Sequence, residues 1–191
     1  MDRALIDYLA VVYMTKGGRA YGEEAVTQLE HALQCALIAE EEGAGDDLVA
    51  ASLLHDVGHL VYEPGVVRAP RDVDDRHEYR PIRMLRRHFG ETVLTPIRLH
   101  VAAKRYLCAV DPDYEEALSP ASKHSLALQG GVYTPDEARA FIRQPHACDA
   151  VRLRTWDDRA KVPGKVTPDL GHYINILLGC AHEPADTQGQ T

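Results

Sequence analysis

The segment Leu53-Leu54-His55-Asp56-Val57-Gly58-His59 constrains this chain more than any other. It closes a run with apolar residues at Leu48, Val49, Ala51, Leu53 and Leu54, the spacing of a helix that buries one face. Polar groups placed directly after such a run need a partner, because an unpaired imidazole or carboxylate is costly away from water. His55 and Asp56 are adjacent, so on a helix their side chains diverge by about 100°. An aspartate there can bridge two ions while the histidine binds one. His59 lies one turn beyond His55 and faces the same cleft. Taken alone, a His-Asp pair also suits a helix-terminal charge pair in water, so the rest of the chain decides.

The periodicity elsewhere is helical as well. Residues 3–14 carry Leu5, Ile6, Leu9, Val12 and Tyr13 at helical spacing. Val26, Leu29, Ala32, Leu33, Ala36, Leu37 and Ala39 predict an amphipathic helix from Glu24 to Glu41, with Gly43 as its C-terminal cap. Asp46 is expected to cap the next helix, which runs to about Leu60. Residues 75–89 read as a helix ended by Gly90, and Glu91–Val110 as another. Thr134-Pro135-Asp136-Glu137 combines a Thr cap, Pro at the first position and a capping-box Glu. Residues 145–160 and 168–178 complete the set. Strand signals are few and short, so the expected fold class is all-α. A chain of 191 residues suits one domain, placed at residues 1–182, with the polar stretch 183–191 as a disordered tail.

Charge narrows the function classes. The formal net charge of -8, from 29 acidic and 21 basic residues, argues against a general nucleic-acid binder. It leaves room for a small anion held by a local cluster of cations. The run from Arg80 to Arg87 reads as a solvated helix face or an interface, not a nucleic-acid site. Cys35, Cys108, Cys148 and Cys180 are far apart and form no C-x-x-C pair, against a zinc ribbon or thioredoxin-type motif. With no signal-peptide start and no apolar run of about 20 residues, a cytoplasmic protein without membrane partners is expected.

Ten histidines are present, and their order matters more than their number. His31 precedes His55-Asp56, and His77, His100 and Asp157 follow, each on an expected helix. Imidazole nitrogens suit iron, zinc or manganese, and a carboxylate can bridge a pair of such ions. Singly, His31 suits a packed core and His77 or His100 a solvated helix; the whole series is poorly explained that way.

The order His…His-Asp…His…His…Asp resembles the dinuclear HD-domain superfamily. Within it, the likeness is to the mixed-valent diiron oxygenases that cleave phosphonates, of the 2-amino- or 2-trimethylammonio-1-hydroxyethylphosphonate type. The inositol-cleaving diiron oxygenase is more distant. The likeness spans Tyr21 to about Lys161. It rests on Tyr21-x-x-Glu24, Gln28-Leu-Glu-His31-Ala-Leu-Gln34, Ser52-Leu-Leu-His55-Asp56-Val-Gly-His59, His77, His100-x-x-x-Lys104, Ser122-x-x-Ser125 and Arg154-Thr-Trp-Asp157-Asp158.

The resemblance implies an HD-domain helical bundle holding two iron ions, Fe(II) and Fe(III). His31, His55, Asp56 and Asp157 would hold one; Asp56 would bridge to the second, which His77 and His100 complete. Tyr21, with Glu24 beside it, would sit over an iron position and swing away when substrate arrives. His59, Lys104, Ser122, Ser125 and Arg154 would grip the phosphonate. The implied reaction consumes O2, breaks the carbon–phosphorus bond and releases phosphate with glycine or glycine betaine.

The residues agree in part with this assignment. Lys104 follows His100 by one turn, and Arg154 precedes Asp157 by three residues, so each shares a face with an expected ligand. Lysine, arginine and two hydroxyls suit a phosphonate dianion. That register favours Asp157 over Asp158, which stays a competitor, while Trp156 reads as core. A quaternary ammonium would call for an aromatic or acidic pocket, for which Tyr13, Tyr21, Glu24 and Tyr106 are candidates. Two other classes remain: a metal-dependent phosphohydrolase on a nucleotide or phosphate ester, and a non-catalytic binding module.

Overall fold

The structure, a computed structural model, describes residues 3–61 and 73–182; the expected tail at 183–191 lies outside them. Its helices are α1 (Ala4–Lys16), α2 (Gln28–Glu41), α3 (Asp46–Leu54), α4 (Ile82–Leu85), α5 (Glu91–Val110), α6 (Pro112–Ala117), α7 (Pro120–Leu128), α8 (Pro135–Ile142), α9 (Ala147–Arg159) and α10 (Leu170–Cys180). No strand forms among the described residues beyond an isolated antiparallel bridge between Ala20 and Thr27. The fold class is all-α.

Seven consecutive residues of α3, Leu48 to Leu54, are buried. A helix covered on every side belongs at the centre, and α2, α5, α9 and α10 pack around it. Helices α5 and α9 make the broadest pairing in the molecule. The main core joins Leu9, Ala36, Val49, Leu53, Ile97, Leu153 and Trp156 across these layers. Trp156 is fully buried and donates its indole N–H to Glu42. Tyr13 is buried too, its hydroxyl bonded to the Leu53 carbonyl, and Tyr106 packs on Phe141. Arg83, Arg86 and Arg87 face solvent. The four cysteines are unpaired, and among the described residues no helix is long and apolar enough to cross a membrane.

Several boundaries differ from the sequence reading, each for a local reason. Helix α2 begins at Gln28, not Glu24, because Thr27 and Glu30 close a capping box there. Residues 21–26 instead fold into a tight turn: the Tyr21 N–H reaches the Val26 carbonyl, and the Glu24 N–H reaches that of Tyr21. Gly22 makes this possible with a φ of 59°, a conformation side-chain-bearing residues rarely adopt. Gly45 occupies the cap position of α3, and Asp46 is its first helical residue. The α-helix stops at Leu54, and a 3-10 turn over Val57–His59 follows. His59 is therefore not one α-turn beyond His55. The expected helix over 75–89 shrinks to the single turn of α4, and His77 sits in a turn before it. Arg76, at φ 49°, breaks the register. Helices α6 and α7 had not been expected; each opens on a capping residue followed by proline, Asp111-Pro112 and Ser119-Pro120.

Candidate active site

Four imidazoles converge on Asp56. His31 comes from the buried side of α2, His55 from the end of α3, His77 from the turn before α4, and His100 from the middle of α5. The Asp56 carboxylate divides them. Its Oδ2 lies 3.4 Å from His55 Nε2 and 3.7 Å from His31 Nε2, and its Oδ1 lies 3.1 Å from His77 Nε2 and 3.5 Å from His100 Nε2. Asp157, from α9, puts Oδ1 3.3 Å from His31 Nε2. Two sets result, His31/His55/Asp157 and Asp56/His77/His100, and within each the ligand atoms lie within 4.8 Å of one another. All six residues are buried.

The tautomers of these rings follow from their other nitrogens. The Nδ1 of His31 meets the Ala160 carbonyl at 2.9 Å, that of His55 the Ser52 carbonyl at 2.8 Å, and that of His100 the Ile97 carbonyl at 2.7 Å. A carbonyl oxygen only accepts, so each Nδ1 carries a hydrogen, and in the neutral ring each Nε2 is left as a lone pair. His77 Nδ1 likewise faces the Asp75 carboxylate at 2.9 Å. Burial opposes ionisation of Asp75, yet hydrogen bonds from His59 and His77 hold its carboxyl well below the usual range.

The consequence is electrostatic. His31 and His55 point Nε2 at each other across 3.2 Å, and His77 and His100 do so across 3.1 Å. Asp56 Oδ1 is buried and has no hydrogen-bond partner while the facing His77 ring is neutral. Each buried acceptor without a partner costs about 1–3 kcal/mol, and several aimed at common points compound that cost. Metal cations placed among them remove it. Nitrogen and carboxylate donors of this kind suit first-row metals, and the Nδ1 partners are the outer contacts that orient ligating histidines. The residues fit a metal site.

Tyr21 lies over the first set. Its ring stacks on His31 with centroids 3.8 Å apart, and its hydroxyl donates to Asp56 Oδ2 at 2.8 Å. Burial, followed by the charges of Asp157 and Asp56, pushes this phenol well above its ordinary pKa. Glu24 stands beside it, paired with Lys161 at 3.4 Å.

A cluster of cations and hydroxyls adjoins these sets. Lys104 is only 2% exposed and donates to Ser125 Oγ at 2.7 Å. Lys161 reaches Ser122 Oγ at 3.4 Å. Arg154 contacts the metal-ligand candidates instead: it donates to Asp157 Oδ2 at 2.7 Å, to both oxygens of Asp158, and to the Tyr114 hydroxyl. Asp157 thus sits in the ligand cluster and Asp158 behind it, as a partner of Arg154. His59 lies beside the second set, stacked on His77 at 4.1 Å, with Nδ1 bonded to Asp75 and Nε2 3.9 Å from Asp56 Oδ1. Among the described residues no contact joins it to the Lys104 cluster.

Sequence reasoning missed Asp75, Tyr114 and Lys161. Asp75, two residues before an expected ligand, carried a usable signal. Lys161 did not, because its placement depends on α2. The His31 contact to Ala160 and a pair of hydrogen bonds between Gln34 and Val162, at 2.9 and 3.0 Å, fix the chain on either side of it.

No family model matches the chain. Curated relatives do. A hydroxymethylphosphonate dioxygenase from Gimesia maris is 43% identical over 168 residues, 87% of this chain and 84% of the relative. A glycine-betaine-forming [1-hydroxy-2-(trimethylamino)ethyl]phosphonate dioxygenase from Leisingera caerulea is 36% identical over 173 residues, covering 91% and 88%. An uncharacterized protein of Acanthamoeba polyphaga mimivirus is 31% identical over 169 residues, covering 87% and 77%. Identity at this level, spread over nearly the whole of both chains and joined to a buried His/Asp centre in an all-helical fold, makes this protein a member of the HD-domain phosphonate dioxygenase family.

Proposed function

We propose that this enzyme uses O2 to cleave the carbon–phosphorus bond of a small 1-hydroxyphosphonate, hydroxymethylphosphonate first among them. The observation that carries the reading is the adjacency of two ligand sets, with the two oxygens of Asp56 facing one each, to the hydroxyl-and-lysine cluster of Ser122, Ser125, Lys104 and Lys161. In this reading His31, His55, Asp56 and Asp157 would hold one iron, and Asp56, His77 and His100 would hold a second. When bound, an Fe(II)/Fe(III) pair supplies the one-electron and oxygen chemistry. The chain's own residues do the rest. Lys104, Ser122 and Ser125 hold the phosphonate oxygens. Arg154, bonded to Asp157, fixes the angle of that carboxylate and extends the positive field toward the anion. His59, whose Nδ1–H is committed to Asp75, offers Nε2 to the proton of the substrate's hydroxyl. Tyr21 and Glu24 cover the site until substrate enters.

Atoms balance simply. Hydroxymethylphosphonate gains both atoms of one O2: phosphorus takes one oxygen and leaves as phosphate, carbon takes the other and becomes formate, and one proton is released. A 2-amino or 2-trimethylammonio substrate would give glycine or glycine betaine by the same scheme. The smaller substrate is favoured because Tyr13 and Tyr106, two candidates for a quaternary-ammonium pocket, are packed elsewhere. Of the four, Tyr21 and Glu24 are the ones at the site.

The test is phosphate release by the iron-loaded protein from hydroxymethyl-, 2-amino-1-hydroxyethyl- and 2-trimethylammonio-1-hydroxyethylphosphonate, in air and under argon. Release that requires O2 and is fastest from hydroxymethylphosphonate is expected. Oxygen-independent hydrolysis of a phosphate ester, with no release from any phosphonate, would overturn the reading in favour of a phosphohydrolase.

A further inference from the structure

Lys161 is held in an unusual position between two parts of the site. Its ammonium lies 3.4 Å from Glu24 Oε1, 3.4 Å from Ser122 Oγ and 6.0 Å from the centre of the Tyr21 ring. It therefore hydrogen-bonds the anion cluster and forms an ion pair with the covering turn, whose Glu24 Oε1 is buried and receives no hydrogen bond. The backbone that carries it is fixed on both sides, through Ala160 by His31 and through Val162 by Gln34. Glu24 is on the opposite kind of support. It belongs to the short turn that begins at Tyr21, and its own N–H is bonded to the Tyr21 carbonyl. The Lys161–Glu24 ion pair thus helps hold in place the turn that brings Tyr21 to Asp56.

We propose that Lys161 is a substrate-binding cation neutralised at rest by Glu24, and that an arriving phosphonate takes Glu24's place on it and thereby releases the Tyr21–Glu24 turn. The physical basis is an exchange of anions. A phosphonate dianion brings two charges and three acceptor oxygens to a place where Lys104, Ser122 and Ser125 already converge, whereas Glu24 brings one charge and no second anchor to that cluster. Lys161 is never left unpaired during the exchange, so no buried bare charge has to be formed. Glu24, its side chain 20% exposed, can pass to water. Binding energy at the phosphonate end is then converted into uncovering of the metal-ligand end. The inference rests on the phosphonate reading of the site.

The test is a double-mutant cycle read by calorimetry on the metal-loaded protein. The probe is methylphosphonate, which has no hydroxyl and does not turn over. Lys161→Met should weaken binding roughly tenfold or more, the loss of one charge-assisted hydrogen bond. Glu24→Gln should tighten binding several-fold by removing the competitor, and should have no effect once Lys161 is Met. Lys161→Arg should restore most of the loss. Metal content and melting temperature serve to separate this from a structural role, and both should stay near those of the parent. Unchanged affinity in Lys161→Met, or an equal effect of Glu24→Gln with and without Lys161, would overturn the proposal. Should Lys161→Met not fold, Glu24→Gln alone decides, since weakened or unchanged binding contradicts competition. No methylphosphonate binding by the parent protein would overturn the phosphonate site itself, an outcome distinct from parent binding that is indifferent to Lys161.

Discussion

At the scale of single residues, Lys104 is the side chain whose behaviour is least like that of its type. Burial, with the charge of Arg154 beside it, brings its pKa down from 10.5 to about 7. The sign of the effect on ligand binding follows directly. Below pH 7 the amine is a cation and attracts a dianion; as pH rises through 7 the ligand-free protein loses that charge, and binding must restore a proton. Affinity for sulfate, which stays a dianion from pH 6 to 9, should therefore fall across that range, by up to about tenfold per pH unit in the limit. Lys104→Met should bind more weakly at pH 6 and show a flatter profile, with metal content unchanged. A parent profile that is flat in calorimetric titrations would show that Lys104 does not meet the anion.

At the scale of elements, the placement of His77 depends on a residue with no side chain. A β-carbon at Gly58 would stand 2.0 Å from the His77 carbonyl oxygen and 2.8 Å from its carbon, both backbone atoms that cannot swing aside. The 3-10 turn and the His77 turn can approach this closely only with glycine there. Gly58→Ala should destabilise the fold by about 1–3 kcal/mol and push His77 away from Asp56. Metal analysis should then find one ion per chain instead of two; retention of two would refute the dependence. How much was legible varies in the same way. Thr134-Pro135-Asp136-Glu137 predicted α8 at its observed start, because cap, proline and capping box are local chemistry. The same cap-and-proline signal at Asp111 and Ser119 went unused, since α6 and α7 are too short to show a period. His31, His55, Asp56, His100 and Asp157 were found on the strength of their order and helix positions, and they do converge. His77 was found on the wrong element, because nothing local announces the positive φ of Arg76. Lys161 could not be found, because hydrogen bonds spanning 128 and 129 positions place it.

At the scale of the whole molecule, the interior is built around a buried set of imidazoles and carboxylates whose charge depends on what lies between them. Burial works against protonating His55 and His77, but Asp56 beside them raises the pKa of both rings, so a metal ion must displace protons here and its binding is linked to pH and to stability. At a free metal concentration about a hundred times the dissociation constant, the folded state gains about 2.7 kcal/mol. For a chain of this size that corresponds to a rise of roughly 5–10 °C in melting temperature. Scanning calorimetry of the iron-loaded and chelator-treated protein should show it; coincident transitions would mean that the folded state does not bind the metal preferentially. The overall charge of -8 works against anionic substrates at long range. Capture therefore depends on the few cations at the site, and added salt should slow it less than for a protein whose whole surface is basic.

The rings of His31, His55 and His100 are oriented by main-chain carbonyls, whereas that of His77 is oriented by the side chain of Asp75. A carbonyl is present whatever residue occupies the position, so no single codon change can delete those three contacts. A single change can delete the fourth. The histidines of the two halves therefore differ in evolvability: descendants of this chain inherit the orientation of His31 and His55 nearly fixed, and have in Asp75 a replaceable part through which His77 can drift.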